Sequence, residues 1–320
     1  MKFVVTIDTE EDNWGDYTSK SPTLENIGLI PELQGSLDEF QVRPTYLVTY
    51  AVANHEKSAS ILRKILDEGK CEIGAHCHPW NTPPFEEPNN KKNTMLCNLP
   101  ADLQYKKLEV LHKTISKNMG VEPISFRAGR WGYAREVARN LFKLGYKVDT
   151  SITPFTDWTA FHGPDFSDTQ PRPYRFSPSD SFMPTPDGEM LEVPATIGFL
   201  QKNFHLANII HKKLNSNFLK KAKLNTILFH LGMLNKIAFN PEQTTLPHMV
   251  KLLRTFKAKR FNVVNMFFHS PSLLPGLSPF IRTKAESQNL ISRIKIICKL
   301  AVENNITFVT LGEYSRQQLL

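Results

Sequence analysis

Residues 3–12 read FVVTIDTEED, an apolar, β-branched run that passes without a break into four acids. Side chains of this kind suit a buried strand, and the acids mark where the chain leaves the core. The pattern recurs. TYLVTY (45–50), CEIGA (71–75), PISF (123–126), YKVDTS (146–151), MLEVP (190–194), NTILFH (225–230), NVVNMFF (262–268) and ITFVTL (306–311) are further short strand candidates. Helical spacing falls between many of them, most clearly at 56–68, 101–118, 133–144, 245–258 and 285–303, where Leu290, Ile291, Ile294, Ile297, Cys298 and Ala301 keep one face. Alternation on this scale predicts a mostly parallel sheet covered by helices. About eight strands with no linker or repeat between them predict an α/β fold, a (β/α)-type barrel forming one domain over 1–320. Segments 79–100 and 154–188, rich in Pro, Asn, Asp and Ser, read as long loop insertions over one end of it.

Composition narrows the class. The chain has 320 residues, 41% hydrophobic and 22% charged, which excludes disorder, collagen and a disulfide-stapled miniprotein. No apolar run reaches the ~20 residues of a membrane span, and the N-terminus opens on a strand rather than a leader. Cys71, Cys77, Cys97 and Cys298 have no framework spacing. These features predict a cytoplasmic protein with reduced thiols. Its net charge of +8 is concentrated: residues 201–260 hold twelve Lys or Arg against one acid, Glu242. Such a segment is either a solvated helical face or a surface for an anionic membrane or a phosphorylated lipid headgroup. No nucleic-acid motif accompanies it, so no nucleic-acid partner is expected.

Five strands each end in an ionisable residue: Asp8, His76, Arg127, Asp149 and His269. In a parallel barrel all C-terminal strand ends lie on one face, so residues distant in sequence converge there. Asp8 and Glu10, two apart, project to the same side, and so do His76 and His78, with Cys77 facing away. Two histidines and a carboxylate with open positions suit a catalytic divalent metal such as zinc, while the neighbouring carboxylate is left to take a proton. A structural zinc site from Cys71, His76, Cys77 and His78 is the rival. Glu11 and Asp12 read as a solvated turn. If Arg127 and Asp149 sit in the cavity, Asp8 with Arg127 and His269 with Asp149 are the natural pairs. Trp80, Phe85, Trp131 and Trp158 lie near these motifs and offer faces on which a sugar can stack.

The series TIDTE, EIGAHCHPW, FRAGRWG, VDTS and MFFHS resembles the five motifs of the NodB-type polysaccharide deacetylases, carbohydrate esterase family 4, in a branch resembling WalW-type proteins, and extends from residue 3 to about 312. The resemblance implies a distorted (β/α) barrel and metal-dependent removal of acetyl groups from sugars, N-acetyl ahead of O-acetyl. It also implies Asp8 as base, Glu10, His76 and His78 as metal ligands, Arg127 tethering the base, Asp149 supporting the acid, and His269 as that acid. His230 is a second candidate for the acid. Trp80 and Trp131 are the expected substrate contacts. The chain departs from the pattern at four places. The family commonly spaces its histidines four apart, whereas position 80 is Trp80; Glu10 stands where Asp is usual, Gly129 where Pro is frequent, and Met266 where Leu is usual. An acetylated glycan or lipid-linked sugar is the expected partner. A cyclic-amide hydrolase on the same fold and a glycan-binding or assembly protein without catalysis are the alternatives.

Overall fold

The computed structural model describes residues 1–17, 22–215 and 224–319. Seven parallel strands lie side by side in the order Val263–His269, Lys2–Thr9, Thr45–Val48, Glu72–Cys77, Ser125–Ala128, Val148–Asp149 and Met190–Glu192. Tyr174–Phe176 adds an antiparallel edge, and Thr307–Phe308 pairs with Lys2 and Phe3 beside the first strand. The sheet curls into a distorted (β/α) barrel. Its gap is spanned by the antiparallel pair Ile197–Phe199 and Lys236–Ala238. There the Thr196 N–H donates to the Asn265 carbonyl (3.2 Å), the Asn265 N–H to Thr196 Oγ1 (2.7 Å) and the Phe267 N–H to the Phe239 carbonyl (3.3 Å).

The first strand shows how the sequence divides the barrel. Phe3, Val5 and Ile7 face outward into the main apolar core beneath the helices. Val4, Thr6 and Asp8 face inward and grade from apolar to charged toward the C-terminal end, as alternation requires. Val4, Leu47, Val148, Leu191 and Val263 make an apolar floor, closed from below by Leu311 and Tyr314 of the helix Leu311–Leu319. A dry floor under a polar rim leaves chemistry to the upper end.

The expected helices form at Glu56–Asp67, Ala101–Met119, Arg135–Lys143, Leu246–Ala258 and Lys284–Glu303. In the last, Leu290, Ile294, Ile297, Cys298 and Ala301 are buried, and Thr283 with Glu286 forms a reciprocal capping box. One strand expectation fails. NTILFH lies in a helix, Leu224–His230. Leu224, Ile227, Leu228 and Leu231 recur at helical intervals, and a short apolar run cannot be told from a strand by length alone. The four cysteines are unpaired. No helix of the described residues is long and apolar enough to cross a membrane.

Candidate active site

Glu10, one residue past its strand, and His76 and His78, at and just past theirs, meet at the barrel's upper end. Glu10 Oε2 lies 3.4 Å from His76 Nε2 and 3.2 Å from His78 Nε2, and the two Nε2 atoms are 3.0 Å apart. Each ring's other nitrogen is engaged. His76 Nδ1 donates to the Arg127 carbonyl (3.0 Å) and His78 Nδ1 to Glu11 Oε1 (2.9 Å). That arrangement turns both Nε2 atoms toward the carboxylate and orients them as ligands. Glu10 Oε1 is buried without a hydrogen-bond partner. Burial works to raise the Glu10 carboxyl, but hydrogen bonds from His76 and His78 hold it down to about 2. Burial likewise lowers His78, yet Glu11 and Glu10 push it up to about 9. Two imidazoles and a carboxylate gathered this tightly form a donor set that fits a divalent transition metal.

Glu11 and Asp12 are not a solvated turn. Both are buried. Glu11 orients His78 and accepts from Thr49 Oγ1 (3.2 Å), while Asp12 accepts from the Glu25 N–H (2.7 Å) and Asn26 Nδ2 (2.6 Å). The four-ligand cysteine and histidine site does not form either, because the pleat turns Cys77 into the outer core.

Asp8 occupies the inner face beside this cluster. Its Oδ1 accepts from Arg127 Nη1 at 2.5 Å, and Arg127, fully buried, also donates to Thr6 Oγ1 (2.7 Å) and the Thr150 carbonyl (3.1 Å). Asp8 Oδ2 faces His269 Nε2 at 3.8 Å. His269 Nδ1 donates to Glu242 Oε2 (2.8 Å), and Ser272 Oγ donates to Glu242 Oε1. Burial lowers His269, but Glu242 foremost, with Glu10 and Asp8, raises it to about 10.

The expected pairing of His269 with Asp149 is therefore corrected. In the sheet register Asp149 is level with Phe126 and Glu192, whereas His76 is level with Arg127. Parallel partners point the same way, so Asp149 faces outward with Phe126 while Arg127 faces the cavity. Asp149 accepts from the Ser151 hydroxyl (2.7 Å) and N–H (3.0 Å), and burial drives its carboxyl and that of Glu192 upward. His230, the second candidate acid, is exposed at the end of its helix and is not among the residues lining the cavity.

Asp8, Glu10, His76, His78, Arg127 and His269 open on a cavity of about 570 Å³. Both long insertions line it, through Met95 and through Thr156, Trp158 and Phe161, and Trp131 forms a wall against Phe267. Trp80 does not line it. Its ring stacks on His78 (4.1 Å between centroids) and borders a neighbouring cavity. Three contributors escape motif reading. Trp14 stacks on His269 (5.4 Å), Glu242 holds it, and Glu11 holds His78. For Glu242 a signal existed: it is the lone acid of the basic segment. Arg130 and Trp131 have positive φ, 53° and 60°, unusual for residues with a Cβ and a form of strain that clusters at functional sites.

Similarity to solved structures agrees with the fold. A Parabacteroides distasonis protein assigned as a glycoside hydrolase/deacetylase superposes with a TM-score of 0.59 at 13% identity, over 98% of this chain and 70% of its own. A Mycobacterium smegmatis protein assigned to the polysaccharide deacetylases gives 0.55 at 16% identity, over 99% and 90%. The chain has the polysaccharide deacetylase fold. A 4-α-glucanotransferase from Thermococcus litoralis also matches, with a TM-score of 0.50 at 12% identity, covering 99% of this chain and 38% of its own. The fold alone therefore does not choose the reaction, and the site must. No protein-family model and no curated protein matches the sequence.

Proposed function

We propose that this chain is a carbohydrate deacetylase of the NodB type, hydrolysing an acetyl group on a glycan, N-acetyl in preference to O-acetyl. One observation carries the reading: a Glu10, His76 and His78 ligand set lies beside an acid and base pair, Asp8 Oδ2 and His269 Nε2, set 3.8 Å apart. Glu10, His76 and His78 would hold a divalent metal, zinc being the best match to two imidazoles and a carboxylate. Such an ion supplies Lewis acidity toward a carbonyl oxygen and a water molecule.

The remaining chemistry belongs to the side chains. Asp8, held in place by Arg127, accepts the proton of the attacking water on Oδ2. His269, charged through Glu242, gives its Nε2 proton to the departing amine, so one proton is taken up and one released in each turnover. An amine leaving group needs that proton more than an alkoxide does, which favours N-acetyl substrates. Trp131 and Trp158 present faces to the sugar. Purified protein should contain about one divalent ion per chain, and Asp8→Asn should keep the ion while losing acetate release from acetylated glycans. Acetate release undiminished in that variant would remove Asp8 from the role. Turnover of cyclic ureides with none of acetylated sugars would favour the cyclic-amide alternative.

The basic segment supports a lipid-linked form of the substrate. Leu206, Ile209, Ile210, Ile227, Leu231 and Met233 are exposed there, and Lys202 and Lys213, also exposed, are close to the first three in sequence. An apolar face fringed by lysines matches an anionic bilayer. His211 and Lys236 of the same segment line the cavity, so a lipid-linked sugar held at the membrane would be presented to its mouth. Lys220, Lys221 and Lys223 of this segment lie outside the described residues. The Ile209→Ser, Ile210→Ser double variant should lose binding to phosphatidylglycerol vesicles; undiminished binding would refute membrane docking.

A further inference from the structure

Lys236 stands on the second strand of the pair that closes the barrel, and it lines the same cavity as Asp8 and His269. Its ammonium is fixed there. It donates to the Phe155 carbonyl and to Thr156 Oγ1 (2.9 Å), both at the start of the 154–188 insertion. An ammonium has three protons to donate, and among the described residues the third meets no acceptor. We propose that Lys236 reads a negative charge on the substrate, so that the enzyme prefers an acetylated sugar bearing an oxyanion, of a phosphoester or a carboxylate, to its neutral counterpart. The proposal rests on the deacetylase reading for the reaction and adds to it the charge of the substrate.

A missing counter-charge carries it. Elsewhere on the cavity wall the charges are matched: Arg127 with Asp8, His269 with Glu242, and Glu10 with His76 and His78. Lys236 has no such match. Among the described residues no Asp or Glu pairs with it, and residues 18–21 and 216–223 contain neither acid. Burial alone acts on the ammonium, pulling it down to about 8, where a nearby carboxylate would push it up. His211, on the same wall, is held down to about 4 by burial and by the Lys236 charge, so it is neutral at pH 7. Lys236 is therefore the local charge.

A half-buried cation without a counter-ion is costly, and folded proteins usually supply one. Anchoring the insertion does not require a cation. The Phe155 carbonyl and the Thr156 hydroxyl are neutral acceptors that an amide could satisfy. What a lysine adds is charge, which makes its hydrogen bond to an oxyanion roughly twice as strong as a neutral one and draws anions toward the cavity. Arg130, the other cation of this wall with no carboxylate among the described residues, is already engaged. Its guanidinium lies over Tyr17 (5.1 Å) and donates to Thr94 Oγ1 and the Lys91 carbonyl (3.3 Å). Lys236 shares its cavity of about 570 Å³ with Asp8 and His269, so one substrate can set its acetyl group between that pair and its oxyanion on the lysine.

The test measures acetate release from methyl N-acetylglucosaminide, N-acetylglucosamine 1-phosphate and N-acetylmuramic acid, which are neutral, phosphoester and carboxylate forms of related sugars. kcat/KM should be about tenfold higher for a charged probe than for the neutral one. The charged probe that leads tells a phosphoester from a carboxylate. Lys236→Gln, which keeps a donor for the insertion, should bring the ratio of charged to neutral probe close to one, and Lys236→Arg should keep most of it. A wild-type ratio near one overturns the proposal without any variant. So does a ratio that survives Lys236→Gln, including the case in which both rates fall together because the lysine only anchors the insertion. Acetate released from no probe would refute the deacetylase reading instead, and the same ratios, measured as dissociation constants, would then decide the role of Lys236.

Discussion

Glu242 Oε2 lies 2.8 Å from His269 Nδ1, and Glu242 Oε1 accepts from the backbone N–H of the same histidine at 3.3 Å. One carboxylate thus grips the imidazole at its ring and at its main chain, fixing the orientation in which Nε2 faces Asp8. Glu242 itself is held by Asn240 Nδ2 (3.0 Å) and by Ser272.

A charge-keeping role for Glu242 has a pH signature. His269 is raised to about 10 from an ordinary 6.5, so the stability it contributes is complete below 6.5 and is lost as pH rises through about 10. The same proton is the one given to the leaving group. Glu242→Gln should therefore move the alkaline limb of the kcat profile downward from near 10 toward 6.5, and reduce the fall in stability between those limits. An alkaline limb that does not move would show that Glu242 positions His269 without setting its charge.

Arg127 is a different kind of support. It is buried with Asp8, and a buried ion pair loses most when one partner is removed. Arg127→Met should lower unfolding free energy by about 3–5 kcal/mol in urea titrations. Arg127→Lys should retain part of that stability and yet lose much of the activity, because an ammonium cannot reach Asp8, Thr6 and the Thr150 carbonyl together as the fork does.

Glu11 offers a test of the ligand set that does not touch a ligand. Its carboxylate fixes the His78 ring through Nδ1 at 2.9 Å. Loss of such a support typically costs 10–100-fold in metal affinity. Glu11→Gln should weaken zinc binding by about tenfold or more in competition with a chromophoric chelator, and kcat at saturating metal should fall less than the affinity.

Much of this site was legible in the sequence because it depends on strand alternation. The two-residue spacings of Asp8 with Glu10 and of His76 with His78 place each pair on one face, and all four are there. What alternation alone could not supply was register. Asp149 ends a strand as Arg127 does, yet it is level with Phe126 rather than with Arg127, and one residue's offset sends it to the outer core. Glu242 lies in a loop beyond the antiparallel strand pair that closes the barrel, so no strand pattern points to it. NTILFH reads as a strand but forms a helix because three consecutive apolar residues, Ile227, Leu228 and Phe229, satisfy both periods. The acids after Glu10 looked solvated because their partners, Thr49, Asn26 and His78, come from separate parts of the chain.

Two departures from the deacetylase motif series turn out to be one. A Cβ placed on Gly129 would lie 2.4 Å from His78 Cδ2 and 2.6 Å from the Cys77 carbonyl oxygen, closer than nonbonded atoms approach. The His78 ring and the Cys77 carbonyl together fill the space that any larger residue at 129 would occupy. A histidine two residues after His76 is thus compatible with glycine at 129 and incompatible with the frequent proline. Gly129→Ala should displace the His78 ring, lowering metal affinity more than global stability, since Gly129 does not need a positive φ. In the joint change His78→Ala, Gly129→Ala the ring collision has gone while the 2.6 Å contact with the Cys77 carbonyl remains, so metal binding should be little worse than in His78→Ala alone and stability should be lower. Equal and additive losses from the two substitutions would mean that Gly129 serves the backbone and not the ligand.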